Sequence, residues 1–308
     1  MEIFMRSGHL GWVPWVFVLL WSTGFIGAKL GLPYIGPFTF LAYRMAFTLL
    51  CFAGLIVYMR APWPTWKQAR SQWISGLLVH AAYLGGVFAA IKMHVPAGLT
   101  ALLVGLQPLL TAFISHFWLH EKLAGRQWLG MVVGLAGTVL VVVGTRGLNF
   151  SLGGGIEWVM LALVGITAGT IYQKRQGQGM NLLTGTFNQY LATLVATTLV
   201  AWWQERGQAV FWSLDLIVAM AWSVLGLSVA AILLLMRMIR EGKVSTVVSY
   251  LYLVPGLTAL EAWALFGEHL SVLGGVGIAV AALGVAWVLK APLRREAAEY
   301  NPQIKIDS

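Results

Sequence analysis

Residues 108–123 read PLLTAFISHFWLHEKL, and residues 255–270 read PGLTALEAWALFGEHL. The second stretch repeats the first: Leu106, Pro108, Leu110, Thr111, Ala112, Glu121, Leu123, Gly130 and Gly137 recur as Leu253, Pro255, Leu257, Thr258, Ala259, Glu268, Leu270, Gly277 and Gly284. Every pair is separated by the same interval, 147 residues from Pro108 to Pro255. Each copy sits in the same place among five long apolar runs. The runs lie near residues 12–30, 36–59, 73–92, 97–119 and 127–144, then 157–174, 183–203, 216–238, 244–266 and 271–290. About 20 apolar residues cross the hydrocarbon of a bilayer as a helix. The sequence therefore predicts an all-α integral membrane protein of ten transmembrane helices. Five crossings per half is odd, so the halves enter the bilayer in opposite orientations. Inverted five-helix repeats create a midplane site that opens to either side in turn.

Composition agrees. Of 308 residues, 59% are hydrophobic and 10% charged, against roughly 25% charged in an ordinary soluble domain. The 35 glycines suit membrane helices, whose backbones approach closely where side chains are small. A formal charge of +9 raises the question of nucleic acid, but no basic stripe with interleaved aromatics is present. The lone Cys51 excludes a disulfide framework. His116, His120 and Glu121 lack the spacing of a zinc helix, so neither a metal nor a cofactor is expected. Arg6 precedes an apolar run as in a signal peptide, yet further crossings follow at once, so that run reads as the first span.

The positive residues fall between the runs. With the N-terminus in the cytoplasm, fifteen Lys and Arg lie on the cytoplasmic side, Lys67, Lys122, Arg240 and Lys290 among them, against Lys29, Lys92, Arg146 and Arg206 outside. This bias places both termini in the cytoplasm of a multi-pass protein of the cell inner membrane. The expected organisation is a first repeat over residues 1–146, a second, inverted repeat over 147–290, and a polar cytoplasmic tail over 291–308.

Several residues stand out inside the runs. Pro108 and Pro255 are expected to kink their helices, with Thr111 and Thr258 rescuing the freed carbonyls. Glu121 and Glu268 end the same helices, where each could cap the start of the next one or take part in gating. Gly130 with Gly134, and Gly274 with Gly275 and Gly277, either hold the terminal helices together or make a dimer contact. A monomer is the expectation, a dimer the alternative. Arg44 lies eight or nine residues into its run; it either ties helix ends together near the outer mouth or holds a substrate carboxylate. Glu261 is the acidic residue deepest in an apolar run, and Ile114 occupies its place in the first copy. It is open to binding a proton, attracting an ammonium group or serving structure. Trp21, His80, Tyr83, Gln107, Tyr250 and Tyr252 add aromatic walls and polar points. Together with Glu261 they outline a mostly apolar small-molecule cavity.

The paired segments above, with LLWSTGFIGAKL at the first run and FTFLAYRMAFTLL at the second, resemble the EamA family of the drug/metabolite transporter superfamily. The resemblance spans residues 12 to 290. It implies secondary export of small metabolites without ATP. Its YddG-like branch makes aromatic or other hydrophobic amino acids the expected substrates, with organic cations or drugs the alternative. Partners are then a small-molecule substrate and membrane lipid. A membrane-embedded receptor or enzyme is the alternative of another class. The sequence shows neither an extramembrane output domain nor a convergent catalytic pair.

Overall fold

The computed structural model describes residues 12–118, 124–146, 154–176, 180–240, 254–268 and 271–289. Among them every regular element is helical. The helices are α1 (Val13–Gly31), α2 (Pro37–Met59), α3 (Trp66–Lys92), α4 (Ala97–Val104), α5 (Gln107–Trp118), α6 (Gly125–Arg146), α7 (Ile156–Gln176), α8 (Leu182–Gln204), α9 (residues 214–240), α10 (Val254–Phe266) and α11 (Val272–Leu289). α4 and α5 are two halves of the fourth predicted run, so the described helices occupy all ten runs. Five spans among them are long and apolar enough to cross a membrane: Val13–Tyr34, Pro37–Met59, Trp66–Lys92, Ile156–Gln173 and Leu214–Leu235.

Local chemistry sets several boundaries. Proline occupies the first turn of α1 and of α2, where a missing N–H costs nothing. A capping box between Thr65 and Gln68 opens α3, and Asn181 caps α8 through Leu183 N and Thr184 N. Arg60 takes a left-handed φ of 48° at the end of α2. Large apolar side chains such as Val57 and Val272 face outward, 77% and 86% exposed, as a lipid-facing surface requires.

Two long helices are wound wider than an α-helix in their middles. Leu77–Ala82 in α3 and Trp222–Ala230 in α9 are π-helical. The repeat interval that carries Pro108 to Pro255 carries Leu77 to Val224, inside the second π stretch. The inverted repeat thus extends to a local unwinding, a feature frequent at functional sites.

The halves interlock rather than sit side by side: α8 packs on α2 and α3, α7 on α3, α10 on α1 and α4, and α11 along α6. In the α6–α11 pair the backbones touch. A methyl added at Gly137 would overlap the backbone of Ala281, and one at Gly284 the backbone of Gly134. The small residues join the terminal helices of the two repeats within one chain, the first of the two roles expected for them.

Pro108 behaves differently from expectation. The fourth run is interrupted at Gly105 and Leu106, and Pro108 falls in the first turn of α5; Pro255 lies at the edge of the described part of its run. A proline in a first turn removes no intrahelical bond, so at Pro108 there is no carbonyl for Thr111 to rescue. Thr111 Oγ1 is buried without a partner. Thr258 instead donates to the Ser22 carbonyl of α1 at 3.1 Å.

Candidate functional site

Between the two halves lies a cavity of about 100 Å³, room for several waters or part of a small solute. Trp21, Gly24 and Phe25 of α1 line it, with Arg44 of α2 and Val79, His80, Tyr83 and Phe88 of α3. From the second half come Ile166 of α7, Tyr190 of α8, and Leu227 and Ile232 of α9. Both π stretches reach it, through His80 and Leu227, which correspond to one another across the repeat.

Arg44 is the one formal charge in the lining. It is 7% exposed, and its Nε donates to Ser228 Oγ at 3.2 Å. Among the described residues no carboxylate pairs with it; the ion pair found there joins Lys29 to Glu268. A buried guanidinium has five N–H donors and cannot shed its charge, so it requires acceptors or an anion. Here its remaining donors share a wall with rings. Tyr190 packs on His80 at 4.9 Å between centroids and on Phe52 at 5.5 Å.

Gln189 Nε2 donates to Gln72 Oε1 at 2.5 Å, which leaves Gln189 Oε1 as the acceptor facing His80 Nε2 at 3.1 Å. With the amide assigned in this orientation, the matching tautomer of the imidazole donates from Nε2. The same α3–α8 seam holds Trp73 Nε1 donating to Asn188 Oδ1 at 3.2 Å and Thr193 Oγ1 donating to the Gly76 carbonyl at 3.1 Å. A polar face of α8 is thereby satisfied inside the bundle and fixes one wall of the cavity.

The structure divides the residues expected at the site. Trp21, His80 and Tyr83 line the cavity, and Arg44 joins them there instead of tying helix ends. Gln107 lies off it, with Nε2 donating to Thr170 Oγ1 at 3.1 Å. Glu261 also lies off it, 2.7 Å from Ser22 Oγ on α1. Tyr250, Tyr252 and Glu121 fall outside the described residues. Sequence reasoning passed over Tyr190, Gln189 and Ser228; the signal available was an amide and a phenol side by side within a membrane-length run.

The end of the bundle that carries Lys29 is held by carboxylates of the second repeat seated on helix starts of the first. Glu268 pairs with Lys29 and accepts from Ala97 N at 3.1 Å and Gly98 N at 3.4 Å, capping α4. It caps a helix of the opposite repeat, not the next helix in sequence. Glu205 accepts from Phe38 N at 2.9 Å, Thr39 N at 2.8 Å and Thr39 Oγ1 at 2.6 Å, capping α2. Lys92 Nζ donates to the Leu32 carbonyl at 2.5 Å and the Ile35 carbonyl at 3.3 Å. Negative groups at helix N-termini and positive groups at C-termini are the stable pairing.

Residues 12–143 and 153–290 match the EamA-like transporter family. The transporter YvbV of Bacillus subtilis is 23% identical over 280 residues, covering 86% of this chain and 87% of its own. The inner membrane transporter YedA of Escherichia coli K12 is 24% identical over 274 residues, covering 88% and 87%. A probable amino-acid metabolite efflux pump of Salmonella typhimurium is 25% identical over 166 residues, covering 54% and 53%. A crystal structure with 22% identity superposes with a TM-score of 0.63 over 89% of this chain and 94% of its own, so the fold is shared. A multi-pass membrane protein with this two-repeat architecture, the chain belongs to the EamA-like transporter family.

Proposed function

We propose that this transporter exports small zwitterionic metabolites, hydrophobic and aromatic amino acids first among them, by alternating access between its inverted repeats. The carrying observation is Arg44, a buried guanidinium with no carboxylate partner among the described residues, at the wall of a cavity lined by aromatic and aliphatic side chains. A substrate carboxylate supplies the missing anion, and Arg is suited to hold it bidentately. Trp21, Phe25, Tyr83 and Tyr190 then receive an apolar or aromatic side chain. The similarity to an amino-acid metabolite efflux pump points the same way. An organic cation would meet an uncompensated positive charge in the same space, which argues against the multidrug alternative. Substrate passes through without covalent change, so no enzyme chemistry is required.

The repeats meet near residues 146 and 147. The charge bias orients the protein in the inner membrane with both termini in the cytoplasm, which makes the Lys29 end the outer one. The test is competition in reconstituted efflux. Phenylalanine, tryptophan, leucine, methionine and threonine are set against tetraphenylphosphonium. Export and competition by the amino acids fit the reading. Transport of the cation with no amino acid competing refutes it.

A further inference from the structure

Glu261 of α10 takes no part in the cavity lining, and its surroundings are set by two short contacts and one unpartnered oxygen. Its Oε1 lies 2.7 Å from Ser22 Oγ, and Ser22 Oγ lies 2.9 Å from the Leu19 carbonyl of its own helix. Its Oε2 is buried without a partner. Ser22 is fully buried. A serine hydroxyl has one proton, and Leu19 O can only accept. If Glu261 were a carboxylate, that single proton would have to serve two acceptors at once. If Glu261 carries a proton on Oε1, both contacts are satisfied in sequence: the carboxyl donates to Ser22 Oγ, and Ser22 donates to Leu19 O. Oε2 is then the carbonyl oxygen of a neutral acid. Leaving that atom unpaired costs far less than leaving half a buried carboxylate unpaired.

Among the described residues no charge nearby compensates an ionised Glu261. Among the described residues the elements packed most closely against α10 are α1, α4 and α11. α4 and α11 contain no titratable residue, and Lys29 is the titratable residue of α1. Lys29 is committed to Glu268, beyond the end of α10, and sits over the Phe266 ring at 4.6 Å. The contact between Ser22 and Glu261 also joins the two repeats, α1 from the first and α10 from the second. On α1, Ser22 adjoins Trp21 and precedes Gly24 and Phe25, all three of which line the cavity.

We propose that Glu261 is the proton-binding residue that couples substrate export to proton entry, a reading that rests on the transport function above. The carboxyl takes one proton from hydronium on the outer side and releases it to water on the inner side in each cycle. With the proton, α1 closes on α10 through Glu261 and Ser22. Without it, the carboxylate needs donors that this contact lacks, and the helices separate to admit water. The same helix displays the cavity wall on its other face, so proton occupancy and access to the cavity move together.

The experiment uses the full protein in proteoliposomes with the membrane potential clamped by valinomycin and potassium. Two quantities are read for labelled phenylalanine: counterflow, and accumulation driven by an imposed pH gradient. In wild type, a one-unit gradient is expected to sustain up to about a tenfold phenylalanine ratio, because one proton per substrate carries that driving force. Glu261→Gln keeps a donor toward Ser22 and is expected to retain counterflow while its gradient-driven ratio falls to unity. Wild-type counterflow without any response to pH, or a Glu261→Gln variant that keeps the tenfold ratio, overturns the coupling. Absence of wild-type counterflow with every amino acid overturns the transport reading and the coupling with it. A second measurement needs no variant: a protonated carboxyl in apolar surroundings gives its proton to a nitrogen of dicyclohexylcarbodiimide and adds through oxygen to its central carbon. The reagent is expected to modify Glu261 in wild type and abolish gradient-driven accumulation. Glu261 left unmodified overturns the proposal.

Discussion

Replacing Arg44 by Gln separates a binding arginine from a structural one, because the two roles give opposite signs. In the absence of substrate, Arg44→Gln removes a buried charge whose desolvation costs several kcal/mol and gives up one hydrogen bond to Ser228, worth about 1 kcal/mol. Stability of the substrate-free protein is therefore expected to hold or rise. In the presence of a carboxylate substrate the change removes charge-assisted bonds worth about 1.5–3 kcal/mol, or roughly 10- to 150-fold in affinity. Phenylalaninamide, which lacks the carboxylate, serves as the control ligand. Wild type should prefer phenylalanine over phenylalaninamide, and Arg44→Gln should abolish that preference by weakening phenylalanine alone. The assays are equilibrium binding in detergent and thermal unfolding without ligand. The reasoning is refuted if the variant melts lower while binding is unchanged, or if both ligands weaken equally.

Three further outcomes follow from the packing and charge described above. Gly284→Leu forces a side chain into the backbone of Gly134 and should cost about 1–3 kcal/mol, read as a lower unfolding midpoint; Gly256→Ala, whose methyl would meet Ile278 at an ordinary 3.7 Å, should show little change. Glu205→Ala releases three donors at the start of α2 and should destabilise by about 1–2 kcal/mol, a loss that an unchanged unfolding midpoint would contradict. In intact cells, a cysteine replacing Arg146 should react with an impermeant maleimide and one replacing Lys67 should not; the reverse pattern would invert the proposed orientation.

Much of the architecture is legible in the sequence because lipid imposes simple demands. An apolar run long enough to span can be counted, and the repeat of Pro108, Thr111 and Glu121 as Pro255, Thr258 and Glu268 marks the inverted halves directly. Arg44, His80 and Tyr83 are visible for a related reason: a polar or charged group inside such a run stands out from its neighbours. What the runs do not encode is rotation about the helix axis. Successive residues differ by about 100°. Trp21 therefore faces the cavity while Ser22 faces Glu261, and Gln107 turns toward Thr170. The π stretches of α3 and α9 have no composition signature, since they arise where packing between helices outweighs regular winding. The caps at Glu205 and Glu268 depend on which helix start lies opposite, a matter of tertiary arrangement. Tyr190 was masked by its setting, in a run whose Thr, Asn and Gln residues pair with α3 and whose phenol alone enters the cavity.

The central claim is that the Arg44 cavity is the substrate site and that it opens in turn to both sides of the membrane. Gly24 lines that cavity, and a side chain there would meet Leu227 at an ordinary 3.6 Å. Cys51 is the single native cysteine, so Gly24→Cys in a Cys51→Ala background gives one reactive thiol at the site. Labelling by an impermeant thiol reagent in right-side-out and inside-out vesicles is the most direct measurement. The account predicts reaction from both sides and protection by phenylalanine, but not by phenylalaninamide, in either orientation. A thiol reached from neither side, or labelled at a rate that phenylalanine leaves unchanged, would contradict it.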